Sequence, residues 1–323
     1  ISDLDFVYQV LKLCLDRRDK IEHPFERALA FKGQLERVFD TAQTGFSYWY
    51  ETTRRYLTIN ITPLNVSAKF AQMMQDTGAG FVFTSATLSV DNKLEHFNAS
   101  LGLKPKQSMM VDSPFDYPNQ ALLCLPRYLP ESHADNMPHA IVKLTLELIK
   151  SAQGRCFVLF TSYRMMHLVA EGLTTQIDYP VYMQGQMSKR IILEKFTRHG
   201  NAVLLGTASF WEGVDVRGST LSCVIIDKLP FAAPDDPLLQ AKMQDCQMQG
   251  KDPFSHIQLP QAVIALKQGV GRLIRDSKDK GVLVICDNRL VTRQYGQVFL
   301  KSLPPMRRTR SLEDANTFLK QIN

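Results

Sequence analysis

Apolar residues along the chain follow two periodicities, one typical of helices and one typical of buried strands. Residues 1 to about 45 carry spaced apolar positions among many charges and predict helices, whereas Phe46–Ile61 predicts a strand pair. Short apolar runs predict further strands at 81–83, 121–125, 156–160, 181–183, 202–205, 223–226 and 282–285. Because these runs are continuous and alternate with helical segments, they predict an α/β fold, a parallel sheet with helices on both faces.

Several of the intervening helices are marked by residues typical of helix ends. Asn136 and Pro138 predict the start of one helix, Ser188 and Gly200 bound a basic one, and Ser311 caps a C-terminal one. The proline-rich stretch 113–118 is the best linker candidate.

Length and composition narrow the class of protein. The 323 residues are 45% hydrophobic, enough for more than one domain, and the net charge of +6 is compatible with a polyanionic partner. The six cysteines form no C-x-x-C pair, which predicts a reducing, cytoplasmic setting without disulfides or a cysteine metal site. No apolar run approaches the roughly 20 residues of a membrane span, so no membrane partner is expected. Because the chain starts at Ile1 inside a helical pattern, we expect a fragment of a longer protein.

The run 268–275 is the most informative motif. If it is helical throughout, Gln268, Arg272 and Arg275 share one narrow arc, opposite the apolar residues Leu266, Val270 and Leu273. Two glycines within a helix each cost roughly 1 kcal/mol relative to alanine, so something is expected to approach the backbone closely. Converging guanidinium groups suit the negative charge that develops on a transferring phosphoryl group. The alternative is a solvated arginine face, which the pattern alone favours.

Three predicted strands end in hydroxyl-bearing residues. These clusters are 84–87 (Thr-Ser-Ala-Thr), 161–163 (Thr-Ser-Tyr) and 206–209 (Gly-Thr-Ala-Ser). Ligands of open α/β sheets lie at the carboxyl ends of strands, where small hydroxyls and helix amides suit phosphate oxygens. Each cluster alone is equally well explained as a helix cap or a turn.

The segment after the third cluster adds two acids and two aromatic residues. Glu212 and Asp215 bracket Gly213, where they could bond a ribose hydroxyl and position a backbone amide toward a phosphate. Phe210 and Trp211 could stack a base. The alternative is that both aromatics belong to the core and both acids are merely solvated. No G-x-x-x-x-G-K-[ST] loop and no Asp-Glu pair after an apolar strand occurs, so the chain is not expected to bind a nucleotide by itself.

Together these motifs resemble the superfamily 2 DNA helicases of the XPD/DinG type, with the bacterial YoaA-like DinG relatives as the nearest group. Residues 83–88 resemble helicase motif III and 158–163 resemble motif IV, both weak signals alone. Residues 206–215 resemble motif V and 268–275 resemble motif VI, a strong pair at this separation. Residues 227–231 and 259–262 are further family-like sequences.

The resemblance implies two RecA-like motor domains with ATP and Mg²⁺ bound between them, mainly by the first motor domain, and 5′-to-3′ unwinding of DNA. It implies an iron–sulfur cluster and a helical arch in the first motor domain, with no cluster in this chain. Residues 1–45 would be the end of the arch, 46–113 the end of the first motor domain, and 114–323 the second. Single-stranded or forked DNA would be the partner, together with replication or repair proteins.

The resemblance also assigns roles to individual residues, none of them a metal ligand. The catalytic residues would be Arg272, Arg275 and Gln268, and the coupling residues Ser85 and Thr87. The nucleotide-binding residues would be Glu212, Gly213, Asp215 and Gly271. The DNA-binding residues would be Thr161, Ser162, Thr207, Ser209 and Trp211.

Two other functions remain open. The chain could be a nucleic-acid or protein docking module without ATP chemistry, although docking does not require Gln268, Arg272 and Arg275 on one face. It could also be half of an RNA helicase, because the sequence offers little evidence against RNA as the substrate. As half of a DNA helicase, the chain alone would be inactive, because it lacks a phosphate loop and a magnesium ligand.

Overall fold

The computed structural model describes residues 2–15, 21–41, 44–211 and 220–323. Those within 1–69 and 233–253 form one compact unit, and those within 70–232 and 254–323 form the other. No helix in the described ranges is long and apolar enough to cross a membrane.

The helices and strands are as follows in chain order. The helices are α1 (Ser2–Cys14), α2 (Glu22–Phe39), α3 (Ser67–Thr77), α4 (Glu95–Leu101), α5 (Tyr117–Gln120), α6 (Met137–Ser151), α7 (Tyr163–Thr174), α8 (Lys189–His199), α9 (Ala208–Trp211), α10 (Pro237–Met248), α11 (Leu259–Val270), α12 (Arg289–Thr292), α13 (Gly296–Ser302) and α14 (Leu312–Ile322), with a π-helical turn at Phe254–Gln258 before α11. The strands are β1 (Phe46–Thr52), β2 (Leu57–Pro63), β3 (Ala121–Cys124), β4 (Cys156–Leu159), β5 (Val181–Met183), β6 (Val203–Gly206), β7 (Cys223–Ile226), β8 (Gly281–Ile285) and β9 (Arg307–Thr309).

The first unit contains two N-terminal helices and a strand pair, as the sequence predicts. Helices α1 and α2 pack together through a stack of Tyr8 on Phe25, with ring centroids 5.3 Å apart, and an ion pair between Lys32 and Asp5. Strands β1 and β2 pair antiparallel. The Ser47 hydroxyl donates to the Pro237 carbonyl at 3.4 Å, which ties β1 to α10.

The second unit is built on a parallel sheet. Seven strands among the described residues lie in the order β5-β6-β4-β7-β8-β3-β9, and every neighbouring pair is parallel. Successive side chains of a strand point to opposite faces. Phe157 and Leu159 of β4 therefore lie in one core beneath α8 and α11, while Cys156 and Val158 lie in a second beneath α6, α7 and α14. The predicted parallel α/β fold with helices on both faces is confirmed.

Helices α6, α8 and α14 begin after the predicted residues Asn136, Ser188 and Ser311, but only Ser311 makes a side-chain capping bond. Helix α6 buries Ile141, Leu144, Thr145 and Leu148, the side that its spacing predicts. Helix α8 begins after Ser188 and ends at Gly200, which is left-handed at φ +80°. The Ser311 side chain accepts from the Asp314 amide and caps α14.

The strand predicted at 81–83 is wrong. These residues form no paired strand, and the side chains of Phe81, Val82 and Phe83 are 40%, 88% and 39% exposed. An apolar run becomes a strand only where a neighbour accepts its backbone hydrogen bonds. None of the described strands pairs with residues 81–83. The cluster 84–87 therefore does not end a strand of the sheet.

Candidate functional site

Two of the three predicted hydroxyl clusters meet at the carboxyl ends of two neighbouring strands. Strands β4 and β6 are parallel neighbours, with Leu159 opposite Gly206. Thr161 and Ser162 lie just beyond the end of β4, and Thr207 follows β6 directly. Because carboxyl ends of parallel strands share one edge, these residues lie close together where ligands of such folds bind.

Asp227, which follows β7, holds Thr161 in place. One carboxylate oxygen accepts the Thr161 amide at 3.0 Å and the Lys228 amide at 2.7 Å, and the other accepts the Thr161 hydroxyl at 3.3 Å. Asp227 is only 1% exposed. Burial raises its pKa to about 7, although the hydrogen bonds and the charge of Lys228 lower it. The orientation of Thr161 is therefore set by a buried acid that titrates near neutral pH.

Gln184 joins the ends of three strands. It follows β5, and its side-chain oxygen accepts both the Thr207 amide, at 2.7 Å, and the Thr207 hydroxyl, at 3.1 Å. Its side-chain nitrogen donates to the Tyr163 phenol oxygen at 2.6 Å. Thr207 is 4% exposed and its hydroxyl proton is donated to Gln184. These bonds give Thr207 an anchoring role at the end of β6, and its contact with DNA stays a prediction.

Ser162 and Ser209 remain at the surface of this edge. The Ser162 hydroxyl oxygen accepts the Met165 amide at 3.3 Å and caps α7, so its own proton can still be donated to a ligand. Ser209 is exposed, and its carbonyl accepts from the Lys189 ammonium at 2.5 Å. The Lys189 ammonium also lies 5.4 Å from the centroid of the Phe210 ring. This part of the edge thus combines hydroxyl donors with a cation.

Phe210 and Trp211 belong to the core, so the base-stacking prediction for Trp211 is wrong in this structure. The two side chains are 2% and 4% exposed. The Trp211 indole donates to the Phe160 carbonyl at 3.3 Å. A Cβ added to Gly269 would lie 2.8 Å from the Trp211 ring, so the close approach predicted at the glycines is the approach of this indole to α11. The alternative of two core aromatics is the correct one.

The helix predicted through 268–275 ends early. Helix α11 stops at Val270, and the next turn uses tighter bonds from the Arg272 amide to the Gly269 carbonyl and from Leu273 to Val270. The Asp279 carboxylate then accepts the amides of 275 and 276, each at 2.8 Å. These amides are thus satisfied outside a helix, so Gln268, Arg272 and Arg275 do not share a helix face. The apolar side is as predicted, since Leu266, Val270 and Leu273 are buried.

Arg272 reaches the segment that follows β6. Its guanidinium donates from Nε to the Trp211 carbonyl at 3.1 Å, and its Nη2 donates to the same oxygen. Arg275 is partly buried on the loop after α11, and Gln268 is partly buried in the last turn of the helix. Gly271 is the C-cap of α11, and its amide donates to the Lys267 carbonyl at 2.9 Å. The predicted motif V and motif VI segments are therefore in direct contact. Glu212, Gly213 and Asp215 lie outside the described residues.

The predicted coupling residues lie on a segment that is hydrogen-bonded to α11. Ser85 and Thr87 bond each other, with hydroxyl oxygens 3.2 Å apart. Two residues further on, Ser89 accepts from the Lys267 ammonium through its carbonyl at 2.9 Å and its hydroxyl at 3.0 Å. Burial lowers the pKa of Lys267. A displacement of this segment would therefore act directly on the helix that carries Gln268.

The cysteines of this chain do not fit an iron–sulfur cluster. Cys124, Cys156, Cys223 and Cys286 are completely buried in the sheet. Burial raises the pKa of Cys124 to about 12 and also raises that of Cys286, which opposes the thiolate form that a metal requires. Among the described residues, no group of three or more histidine, cysteine or acidic side chains could hold a metal ion.

Comparison with known proteins assigns the family. The model of the helicase C-terminal domain matches residues 145–306. The ATP-dependent DNA helicase YoaA of Escherichia coli is 51% identical over 98% of this chain and 50% of its own length, and that of Haemophilus influenzae is 49% identical over the same shares. A Mycobacterium tuberculosis helicase DinG is 34% identical over 84% of this chain and 41% of its own length.

The chain belongs to the helicase C-terminal domain family. The chain is similar to the YoaA and DinG helicases over most of its length, so the predicted resemblance is confirmed. A solved XPD helicase superposes with a TM-score of 0.60 at 20% identity, covering 93% of this chain and 55% of the other, which supports the RecA-like fold. The chain spans about half the length of the curated relatives it matches.

Sequence reasoning missed Gln184 within this helicase C-terminal domain. It lies in a turn where Gly185 adopts φ +97° and the Gln186 side chain accepts the Met183 amide at 3.1 Å. The contact between Gln184 and Thr207 joins two loops, so nothing in the local pattern could reveal it.

Proposed function

We propose that this chain is the C-terminal motor half of an ATP-dependent DNA helicase that unwinds DNA in the 5′-to-3′ direction. The observation that carries this proposal is the arrangement of polar groups at the carboxyl ends of β4 and β6. Thr161 and Ser162 lie there beside the end of β6, with Ser209 just after β6 and Lys189 at the start of α8. Small hydroxyls, a helix N-terminus and a cation suit the phosphates of a single strand and give little sequence preference. The relatives named ATP-dependent DNA helicases support the same function.

The nucleotide would be contacted at the C-terminal end of α11. Arg272 and Arg275 would act as arginine fingers on the transferring phosphoryl group of ATP, with Gln268 nearby. Gly271, Glu212, Gly213 and Asp215 would border the same nucleotide. Arg272, just beyond the end of α11, already bonds the Trp211 carbonyl, which supports a shared site for the two segments.

The rest of the ATP site would be supplied by a first motor domain. Residues 46–113 would form its end, residues 1–45 the end of a helical arch, and residues 114–323 the second motor domain. Mg²⁺ would be held mainly by that first domain, and an iron–sulfur cluster would also lie there, since the cysteines of this chain do not fit one. Ser85 and Thr87 would couple the two motor domains through the bonds from Ser89 to Lys267.

The DNA track is tested by a substitution that preserves the fold. Asp caps helices as well as Ser does, so Ser162→Asp should keep α7 intact while placing a negative charge against the phosphates. We expect this variant to weaken binding of labelled single strands of every sequence alike, and we expect wild-type binding to fall steeply with salt. Ser311→Asp is the matched control, because Ser311 caps α14 in the same way but follows β9, an edge strand four positions away from β4 in the sheet.

Two results would contradict the proposal. Binding that is insensitive to salt, or equal in Ser162→Asp and Ser311→Asp, would place any DNA track elsewhere and favour a docking module. In a full-length helicase that contains this chain, unwinding of RNA duplexes in preference to DNA would favour an RNA helicase.

A further inference from the structure

Tyr163 presents a large aromatic surface at the proposed DNA track. It is the first residue of α7 and directly follows Thr161 and Ser162. Tyr163 is 56% exposed, whereas Trp211, which the resemblance assigned to DNA binding, is 4% exposed. A nucleobase can stack only on a ring whose face is open to solvent, so Tyr163 meets the requirement that Trp211 fails.

Gln184 holds the Tyr163 phenol in a defined position. Its side-chain nitrogen donates to the phenol oxygen at 2.6 Å, while its side-chain oxygen accepts two bonds from Thr207. Thr207 is buried at the end of β6, so the ring is connected through one amide side chain to the rigid sheet. An exposed tyrosine on a mobile rotamer would lose conformational freedom when it stacks on a base. A ring that is already held loses less, and preorganisation of this kind strengthens binding.

The Tyr163 ring also lies next to a residue that can contact the DNA backbone. Ser162 is adjacent to Tyr163, and its hydroxyl proton can be donated to a phosphate while its oxygen caps α7. Proteins that bind single strands without sequence preference combine backbone contacts with aromatic side chains that stack the bases. Both components occur here on consecutive residues.

We propose that Tyr163 stacks a base of single-stranded DNA and that Gln184 is the residue that positions its ring. This inference rests on the proposed function, because it assigns the base contact of the same track. Stacking tolerates every base, so Tyr163 would add affinity and fix the spacing of the strand without reading its sequence.

The test separates base contacts from backbone contacts. Binding of this chain to labelled oligodeoxythymidine and to an abasic strand of the same length is measured for wild type, Tyr163→Ala and Tyr163→Phe. We expect Tyr163→Ala to weaken thymidine binding by about 5- to 150-fold, the range that stacking of one base implies, and to leave abasic binding unchanged. Tyr163→Phe keeps the ring but loses the bond to Gln184, so we expect a loss of thymidine binding that is smaller than in Tyr163→Ala but present, because the ring is no longer held in place. Neither variant should change the salt dependence, because the phosphate contacts remain.

A matched control is provided by Tyr128, which is 93% exposed and follows β3, three strands away from β4. Tyr128→Ala should bind both strands as wild type does. A strand carrying 5-iododeoxyuridine should cross-link to Tyr163 on irradiation, and the cross-link should persist in Tyr163→Phe and disappear in Tyr163→Ala.

The outcomes distinguish this inference from the function on which it rests. If wild type binds thymidine strands and Ser162→Asp weakens that binding, but Tyr163→Ala behaves like Tyr128→Ala, the track stands and the stacking role of Tyr163 is wrong. Equal losses on thymidine and abasic strands in Tyr163→Ala would also overturn the stacking role. If wild type binds no single strand, both proposals are overturned.

Discussion

Asp227 and Asp287 follow adjacent strands of the sheet and are both almost completely buried, yet their pKa values are shifted in opposite directions. Burial raises the pKa of Asp227 to about 7. Burial acts in the same direction on Asp287 and is the largest single effect, but the hydrogen bonds and charge of Arg289, with Nη2 2.7 Å from the carboxylate, and the bond from the Leu229 amide together outweigh it and lower the pKa. The difference arises because Asp227 is bonded mainly by neutral donors, whereas Asp287 is paired with a guanidinium.

This difference predicts how the stability of the second unit depends on pH. A carboxyl with a raised folded pKa stabilises the fold fully below its unfolded pKa of about 4, and that contribution is lost as the pH rises through about 7. We expect Asp227→Asn to remove this pH dependence, because the amide stays neutral and still accepts the backbone amides. The effect should be roughly 1–4 kcal/mol in the free energy of unfolding between pH 5 and 8, measured by denaturant titration.

Asp287→Asn is the control, because the pKa of Asp287 is shifted in the opposite direction. Its lowered pKa gives a contribution that is present above the unfolded pKa and lost as the pH falls, so this variant should be less stable than wild type at pH 8. It should leave the loss of stability between pH 5 and 8 in place. If Asp227→Asn and wild type lose the same stability over that range, the assignment of the titration to Asp227 is wrong.

The packing of Trp211 on Gly269 gives a second prediction. Alanine favours a helix over glycine by roughly 1 kcal/mol, but its Cβ at 269 would lie 2.8 Å from the indole. Overpacking of this kind costs about 1–3 kcal/mol, so Gly269→Ala should destabilise the fold and shift the fluorescence of Trp211. Gly271→Ala is the comparison, since its Cβ would lie 3.3 Å from the Lys267 carbonyl and should cause a smaller loss. Equal stability of wild type and Gly269→Ala would contradict a tight contact.

The sequence predicted the core of the second unit well and its site less well. Strands such as β4 and β7 are continuous apolar runs whose burial follows from their composition, so they could be located without a partner. The end of α11 could not, because it depends on Asp279 accepting backbone amides several residues away from its own position. The burial of Trp211 and the bond from Gln184 to Thr207 are contacts between distant segments, which a periodic pattern does not encode.

The chain alone should not hydrolyse ATP at a measurable rate. Arginine fingers act mainly on the charge of the transition state, and they do not replace a phosphate-binding loop and a magnesium ligand. We expect phosphate release by the purified 323-residue chain to equal that of its Arg272→Ala variant, with or without single-stranded DNA. Turnover that DNA stimulates in wild type and that the arginine variant lacks would contradict the proposed division of the ATP site.

In a full-length helicase that contains this chain, Arg272→Lys and Arg275→Lys should each cripple ATP hydrolysis while leaving ATP binding largely intact. Lysine keeps the positive charge but loses the planar group that can bond two acceptors at once, and at Arg272 that group already bridges to the Trp211 carbonyl. The loss of turnover should be on the order of 10³-fold, as expected for an arginine finger. Steady-state hydrolysis and nucleotide binding measured on the same preparations separate the two effects.

Arg293→Lys is the matched control for these exchanges, because Arg293 is exposed and lies outside the proposed site. It should hydrolyse ATP as wild type does. If Arg272→Lys and Arg275→Lys behave like Arg293→Lys, the guanidiniums are ordinary surface or structural groups, and the contact between Arg272 and Trp211 only fixes the end of α11. A variant that loses ATP binding and hydrolysis in the same proportion would instead assign its arginine to ground-state binding, since a finger acts on the transition state.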